Sequence, residues 1–304
     1  MIAHTIDLNF FTPETIASYL IETDSEIALI ESGPDSVYDN LVDGLKRLGF
    51  DASDVRKVFV THVHLDHAGA AWHFADNGAT IYVHPNGARH LNDPSKLLNS
   101  AAQIYKERMG ELWGSVNPIS QEKLHRMSDG EEVVVGDTVV KAIDTQGHAS
   151  HHNTYFVEGN AFTGDVGGIR IKNGPVFPPT PAPDINIELW LDSIEKIRRL
   201  HAAAIYPTHF GRSSDVASYL DELKTRLLDW TDWVGDRLRE GKDEAKIISE
   251  FDSYVTNSMR NSGLDEGMVE RYRNADPFWM NIPGLIRYWN KYRLKSDDLP
   301  RRGS

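Results

Sequence analysis

The chain has 304 residues, 40% of them hydrophobic, and a formal net charge of −13. That apolar content excludes a disordered chain, and so acidic a balance opposes general binding to nucleic-acid phosphates, which Lys and Arg would have to neutralise. Cysteine is absent, which excludes disulfides and thiolate metal sites, so any metal must be held by His and carboxylates.

The N-terminal stretch MIAHTIDLNFFTPETIASYLIETD lacks a basic start, a long apolar run and a small-residue cleavage site, so no signal peptide is expected. No apolar run approaches the roughly 20 residues that span a bilayer. A cytoplasmic protein with no membrane or nucleic-acid partner is the expectation. Residues 26–32 (EIALIES) then read as a strand running into Gly33-Pro34, and 36–50 as a helix with Val37, Leu41, Leu45 and Leu48 on one face and Gly49 as its stop. A buried strand is predicted over 55–64 (VRKVFVTHVH) and another over 79–85. Residues 131–145 and 151–165 read as hairpins, and 203–211 (AAIYPTHFG) as a last short strand. Two segments interrupt this scheme: an insertion at 86–127 carrying a helix, and the proline-rich loop 172–186. At least one of them is expected to line a pocket. From about 213 strand signals vanish, and a long amphipathic helix over 213–241 is predicted to be followed by further helices over 242–257, 264–275 and 277–293. Trp230, Trp233, Trp279 and Trp289 there point to packing or contact.

The densest polar stretch is THVHLDHAG at 61–69, with His62, His64, Asp66 and His67 in six positions. If the strand continues through them, His62 and His64 point the same way, and two imidazoles so placed can bind one metal. Asp66 and His67, on the following turn, can reach a second. A purely structural role for these histidines predicts nothing elsewhere in the chain. A metal site predicts further ligands at strand ends, and His148 in DTQGHAS, Asp165 in FTGD and His209 in IYPTHFG stand in such places. His151 and His152 are expected at the surface, with a supporting place behind the ligands as the alternative. Arg170 and Lys172 either meet an anionic group of a substrate or are solvated. His84, His73, His90, His125 and His201 carry no ligand pattern.

Taken in order, ESGPDS (31–36), THVHLDHAG, GHASHH, FTGD and PTHFG closely resemble the motifs of the metallo-β-lactamase-fold hydrolase superfamily over about residues 1–212. The first motif carries Glu31 where that superfamily often has Asp. The resemblance implies an α/β fold, an αββα four-layer sandwich with the site at one edge of the two sheets. Residues 1–212 would be the catalytic domain and 213–304 a C-terminal helical extension. It implies that His62, His64 and His148 hold one metal, that Asp66, His67 and His209 hold a second, and that Asp165 bridges both. Two divalent ions, zinc before iron or manganese, would activate a bridging hydroxide. Asp66 would either take the water's proton or serve as a ligand alone.

The substrate expected is a small molecule with an ester, thioester or lactone bond. Acyl-homoserine lactonases of this type usually place a tyrosine three residues after the bridging Asp, where this chain has Gly168. Glyoxalase-II-type thioesterases share the dinuclear motif and a helical C-terminal region. The alternatives are a mononuclear-iron persulfide dioxygenase and, behind it, a β-lactam or phosphodiester hydrolase. Elsewhere in the chain, the tryptophans leave a homodimer open.

Overall fold

The computed structural model describes residues 1–294. Among these residues, eleven strands form two sheets. In the first, β1 (Ile2–Asp7), β2 (Ala17–Glu22), β3 (Ile27–Ile30), β4 (Lys57–Phe59), β5 (Thr80–Val83) and β6 (Leu124–Arg126) lie in sequence order. β1 to β3 are antiparallel; β3 to β6 are parallel, with Leu29 opposite Val58 and Ile30 opposite Phe59. In the second sheet the order is β11 (Ala204–Tyr206), β10 (Asn160–Phe162), β9 (Asn153–Val157), β8 (Thr138–Asp144), β7 (Glu132–Val135).

Alternation along the strands sorts side chains into layers. Tyr19, Ile21, Ala28, Ile30, Phe59 and Tyr82 of the first sheet meet Tyr155, Val157, Phe162 and Tyr206 of the second in a central core. Their neighbours Leu20, Leu29, Val58, Ile81 and Val83 face the other way. The helices cover that outer face: α1 (Tyr38–Arg47), α2 (Leu65–Ala68), α3 (Ala71–Asp76), α4 (Ala88–Asn92), α5 (Ser95–Tyr105) and α6 (Met109–Trp113). On the far side, Ala161 and Ile205 pack under α7 (Ile187–Arg199), α8 (Val216–Arg239), α9 (Glu244–Asn261), α10 (Glu266–Ala275) and α11 (Asn281–Tyr288). The result is helix, sheet, sheet, helix. One continuous core joins Trp190 of α7 to Trp230, Phe251, Tyr272 and Leu285 of the C-terminal helices. Asn186, Asp243 and Asp265 cap α7, α9 and α10, each accepting a backbone N–H from the first turn. No helix among the described residues is long and apolar enough to cross a membrane.

Several sequence expectations change. β1 and β2 lie in a stretch with no predicted element, and β6 in the insertion expected to carry a helix. The strand predicted over 55–64 is only Lys57–Phe59, so His62 and His64 stand in the loop beyond it. The insertion 86–127 carries three helices and the edge strand β6 rather than one helix. Trp230 and Trp289 are core residues, Trp289 closing on the helix face at Gly235, whereas Trp279 is 41% exposed.

Candidate metal centre

The loops at one end of the sandwich bring together all seven residues singled out in the sequence, in two groups: His62, His64, His148 and Asp165; and Asp66, His67 and His209. In the first, His62 Nε2 and His148 Nε2 lie 3.0 and 3.1 Å from His64 Nδ1. Asp165 Oδ2 lies 3.9 Å from His62 Nε2 and 3.4 Å from His148 Nε2. The other oxygen of Asp165 belongs to the second group, 3.2 Å from His67 Nε2 and 3.5 Å from His209 Nε2. Asp66 Oδ2 completes it at 3.5 and 3.4 Å from the same two nitrogens.

A tetrahedral ion with ligands at about 2.0–2.1 Å places its ligand atoms roughly 3.3–3.4 Å apart. The measured edges scatter about that value. A second observation agrees: His67 Nε2 and Asp165 Oδ1 are buried without a hydrogen-bond partner although they lie only 3.2 Å apart. Such an approach without a hydrogen bond of good geometry is expected of two atoms directed at a common centre. The donor set fits two divalent cations.

Four of the five histidines are held from behind. The Nδ1 of His148 bonds the carbonyl of Pro179 at 2.8 Å, and that of His209 the carbonyl of Thr15 at 2.7 Å. A carbonyl only accepts, so Nδ1 carries the proton and Nε2 presents its lone pair to the site. His67 Nδ1 is 3.1 Å from Glu31 Oε1, and His62 Nδ1 is 3.1 Å from the Thr61 hydroxyl. Glu31 is fully buried and also accepts the hydroxyls of Thr61 and Thr208 and the Thr61 N–H. Its role was open in the sequence; the structure makes it the carboxylate behind His67, a placement that fixes ring orientation and raises ligand basicity.

His151 and His152 are buried, contrary to the surface expectation. His152 bonds the Thr145 hydroxyl at 3.0 Å and stacks on His62, ring centroids 5.0 Å apart. Thr61 and this ring crowd Gly164, whose φ is +49° and where a Cβ would meet Thr61 Oγ1 at 2.5 Å. Lys172 pairs with Glu14, and the Arg170 Nε donates to the Gly174 carbonyl, so neither meets the ligand groups. His84 pairs with Asp144, and His73 is stacked between Trp72 and Tyr38 and bonded to Asp35. Of the two interrupting segments, loop 172–186 reaches the centre through the Pro179 carbonyl, while Tyr105, from the insertion, donates to Met280 Sδ in the C-terminal region.

Electrostatics divide the groups. Burial, then the neighbouring imidazoles, push His62 well down and His64 down to about 4. Burial also lowers His148. Against burial, Asp165 and Asp66 hold His67 well up and His209 up, while these histidines hold both carboxyls well down.

The profile of the metallo-beta-lactamase superfamily matches residues 11–209. A metallo-beta-lactamase fold-containing protein of Sulfurisphaera tokodaii is 29% identical over 161 residues, 51% of this chain and 60% of that protein. The chain thus spans well under two thirds of that relative's length. An N-acyl homoserine lactonase of Agrobacterium fabrum is 32% identical over 118 residues, 38% of this chain and 41% of the lactonase. A metallo-beta-lactamase family protein of Thermus thermophilus superposes with a TM-score of 0.72 at 21% identity, covering 95% of this chain and 93% of that one, a likeness of fold.

Proposed function

The chain belongs to the metallo-beta-lactamase superfamily, a superfamily of metallo-hydrolases, and from that premise we propose that it hydrolyses an ester, thioester or lactone bond of a small molecule with a dinuclear centre. The observation that carries this reading is the sharing of Asp165: one carboxylate serves two ligand groups whose edges both suit a small divalent ion. His62, His64 and His148 would hold one ion, Asp66, His67 and His209 the other, and zinc suits these distances first. When bound, such a pair of ions supplies Lewis acidity and a water acidic enough to attack at neutral pH.

The rest of the chemistry falls to side chains of the chain. The tethered imidazoles stay in one tautomer and orientation, so the site need not reorganise during the reaction. Among the carboxylate ligands Asp66 is the more open, its side chain 21% exposed against 6% for Asp165. It can therefore reach the attacking water and take its proton. The likeness to the lactonase supports an acyl substrate, with one departure. Where lactonases of this type carry tyrosine, Gly168 has φ +76° and a Cβ there would meet Leu223 and the Phe177 carbonyl at 2.8 Å. A side chain has no room at that point, so a lactone here would be oriented by other groups. The net charge of −13 weighs against a nucleic-acid phosphodiester.

The test joins elemental analysis to turnover on a panel of lactones, thioesters, esters, phosphodiesters and β-lactams. Two divalent ions per chain with acyl-bond turnover are expected, and Asp66→Asn should lower kcat by about 10²–10⁴. Unchanged turnover in that variant, or one iron per chain with persulfide-dependent oxygen uptake, would overturn the reading.

A further inference from the structure

The hydrogen bonds behind the ligands do not end at the loops that make them. In the first ligand group, the Nδ1–H of His148 donates to the Pro179 carbonyl at 2.8 Å. That carbonyl and the N–H of Thr180 belong to one peptide unit. It is trans, since the cis bonds among the described residues are Ala182-Pro183 and His209-Phe210. A trans peptide is planar and holds its C=O and N–H pointing opposite ways. Whatever fixes the Thr180 N–H therefore fixes the direction of the Pro179 carbonyl.

That N–H is fixed by Asn281, 101 positions further along the chain at the start of α11. Asn281 Oδ1 accepts the Thr180 N–H at 2.6 Å and the Thr180 hydroxyl at 2.8 Å. The other end of the amide is held as well, its Nδ2 donating to Asp276 Oδ2 at 2.6 Å. Thr180 and Asn281 are both fully buried, so bulk water does not compete for these groups. α11 lies directly against the peptide that follows: a Cβ on Gly284 would meet the Thr180 carbonyl oxygen at 2.1 Å. One line of hydrogen bonds thus runs from Asp276 through the Asn281 amide and the Pro179–Thr180 peptide to the His148 ring. Bonds in such a line polarise one another, so the bond to Thr180 makes the Pro179 oxygen a better acceptor. The second ligand group is tied differently. The Thr15 carbonyl fixes His209, and α10 reaches that loop through the side chains of Thr12 and Glu14.

We infer that Asn281 is a positioning residue for the metal centre: through the Pro179–Thr180 peptide it holds the His148 ring in the tautomer and orientation that turn Nε2 to the site. This rests on the two-ion reading above and deepens it, because it gives the C-terminal helices a part in the ion affinity of the first ligand group alone.

Two measurements test it, the first on chelator-stripped protein. Proton–nitrogen correlation spectra of the imidazoles at about pH 8, where an ordinary histidine is neutral, report the tautomer of His148. Wild type should show Nδ1–H alone and Asn281→Ala a mixture. The double variant Asp276→Asn/Asn281→Asp keeps an oxygen facing Thr180 and an amide facing a carboxylate, and should restore the single tautomer. Phe251→Leu, in the interior of the same helices, should lower Tm without mixing the tautomers. The second measurement is chelator competition in two backgrounds, Asp66→Asn to leave the first group intact and His64→Ala to leave the second. Adding Asn281→Ala should lower ion affinity about 10–100-fold in the former and less than about threefold in the latter. An unchanged tautomer, or equal losses in both backgrounds, overturns the inference. Should Asn281→Ala not fold, wild type decides: His148 protonated on Nε2, or a Thr180 amide that exchanges by local opening rather than by global unfolding, overturns it equally. A wild type that takes up fewer than two ions overturns the two-ion reading instead, and the two failures are told apart because the tautomer comparison needs no metal.

Discussion

The two halves of the metal centre share Asp165 and little else. One consists of three imidazoles that burial and mutual repulsion push down, so their lone pairs are open at neutral pH. In the other, two imidazoles are set among Asp66, Asp165 and, behind His67, Glu31, and these carboxylates hold the histidines up. A cation entering the first half meets few competing protons, whereas a cation entering the second must displace them. A shared carboxylate therefore does not make two equivalent sites. On the two-ion reading proposed above, unequal filling is the expectation from these charges.

Removing the shared group should have the largest effect. Asp165→Asn deprives both halves of an anionic ligand, and losing charge stabilisation of several kcal/mol corresponds to a fall of on the order of a thousandfold in kcat. Elemental analysis should find both ions depleted; a variant retaining two ions would break the picture of a common bridge. Next, Asp66→Asn and His64→Ala should separate the halves. After dialysis each is expected to keep about one ion, in opposite halves; loss of both ions in each variant would show that the halves are not separable.

A subtler change is Glu31→Gln, which leaves every ligand in place but weakens the hold on His67 Nδ1. Metal affinity of the second half should drop by about 10–100-fold, read by competition with a chelator, with the first half unaffected. An equal effect on both would locate the role of Glu31 in general stability. The smallest effect concerns the chelator-stripped protein. His64, pushed down to about 4, is protonated in the unfolded chain at about pH 6.5, so it costs stability as pH falls between those values. His209 is shifted up, so its contribution is complete below about 6.5 and fades as pH rises through its folded value. In urea unfolding at a series of pH values, His64→Ala should flatten the acid side of the profile and His209→Ala the alkaline side. The reverse assignment would contradict the contrast between the halves.

The clustering of the seven residues was legible because each stands in a short motif at or just beyond a strand end, and local spacing is what a sequence displays. The αββα order followed from resemblance, and the alternating runs around Ile30 and Phe59 agree with it. The groups behind the ligands were not legible, for a physical reason. The carbonyls of Thr15 and Pro179 are backbone atoms that any residue would supply. Glu31 meets His67 across 36 positions of chain. The run through VFVTHVH looked like one long strand, yet its pairing stops at Phe59 and the chain turns so that His62 and His64 converge. His151 and His152 looked like ordinary polar loop residues. Only the packing of β9 and the turn at Gly164 shows that the second of them lines the floor beneath His62.

The core running from Trp190 into Trp230, Phe251 and Leu285 bears on how the protein can be engineered. Composition changes near residue 212, but the apolar contacts run across that point. A chain ended there would leave the outer face of α7 and of the second sheet against water, a loss of roughly 25 cal/mol for each Å² uncovered. Such a fragment is expected to aggregate, and transplanting the tail of another protein would require re-fitting a whole interior. Single substitutions at Tyr105 and Met280, which touch across the insertion and the C-terminal region and are only half-buried, exchange a side chain without unpacking that interior.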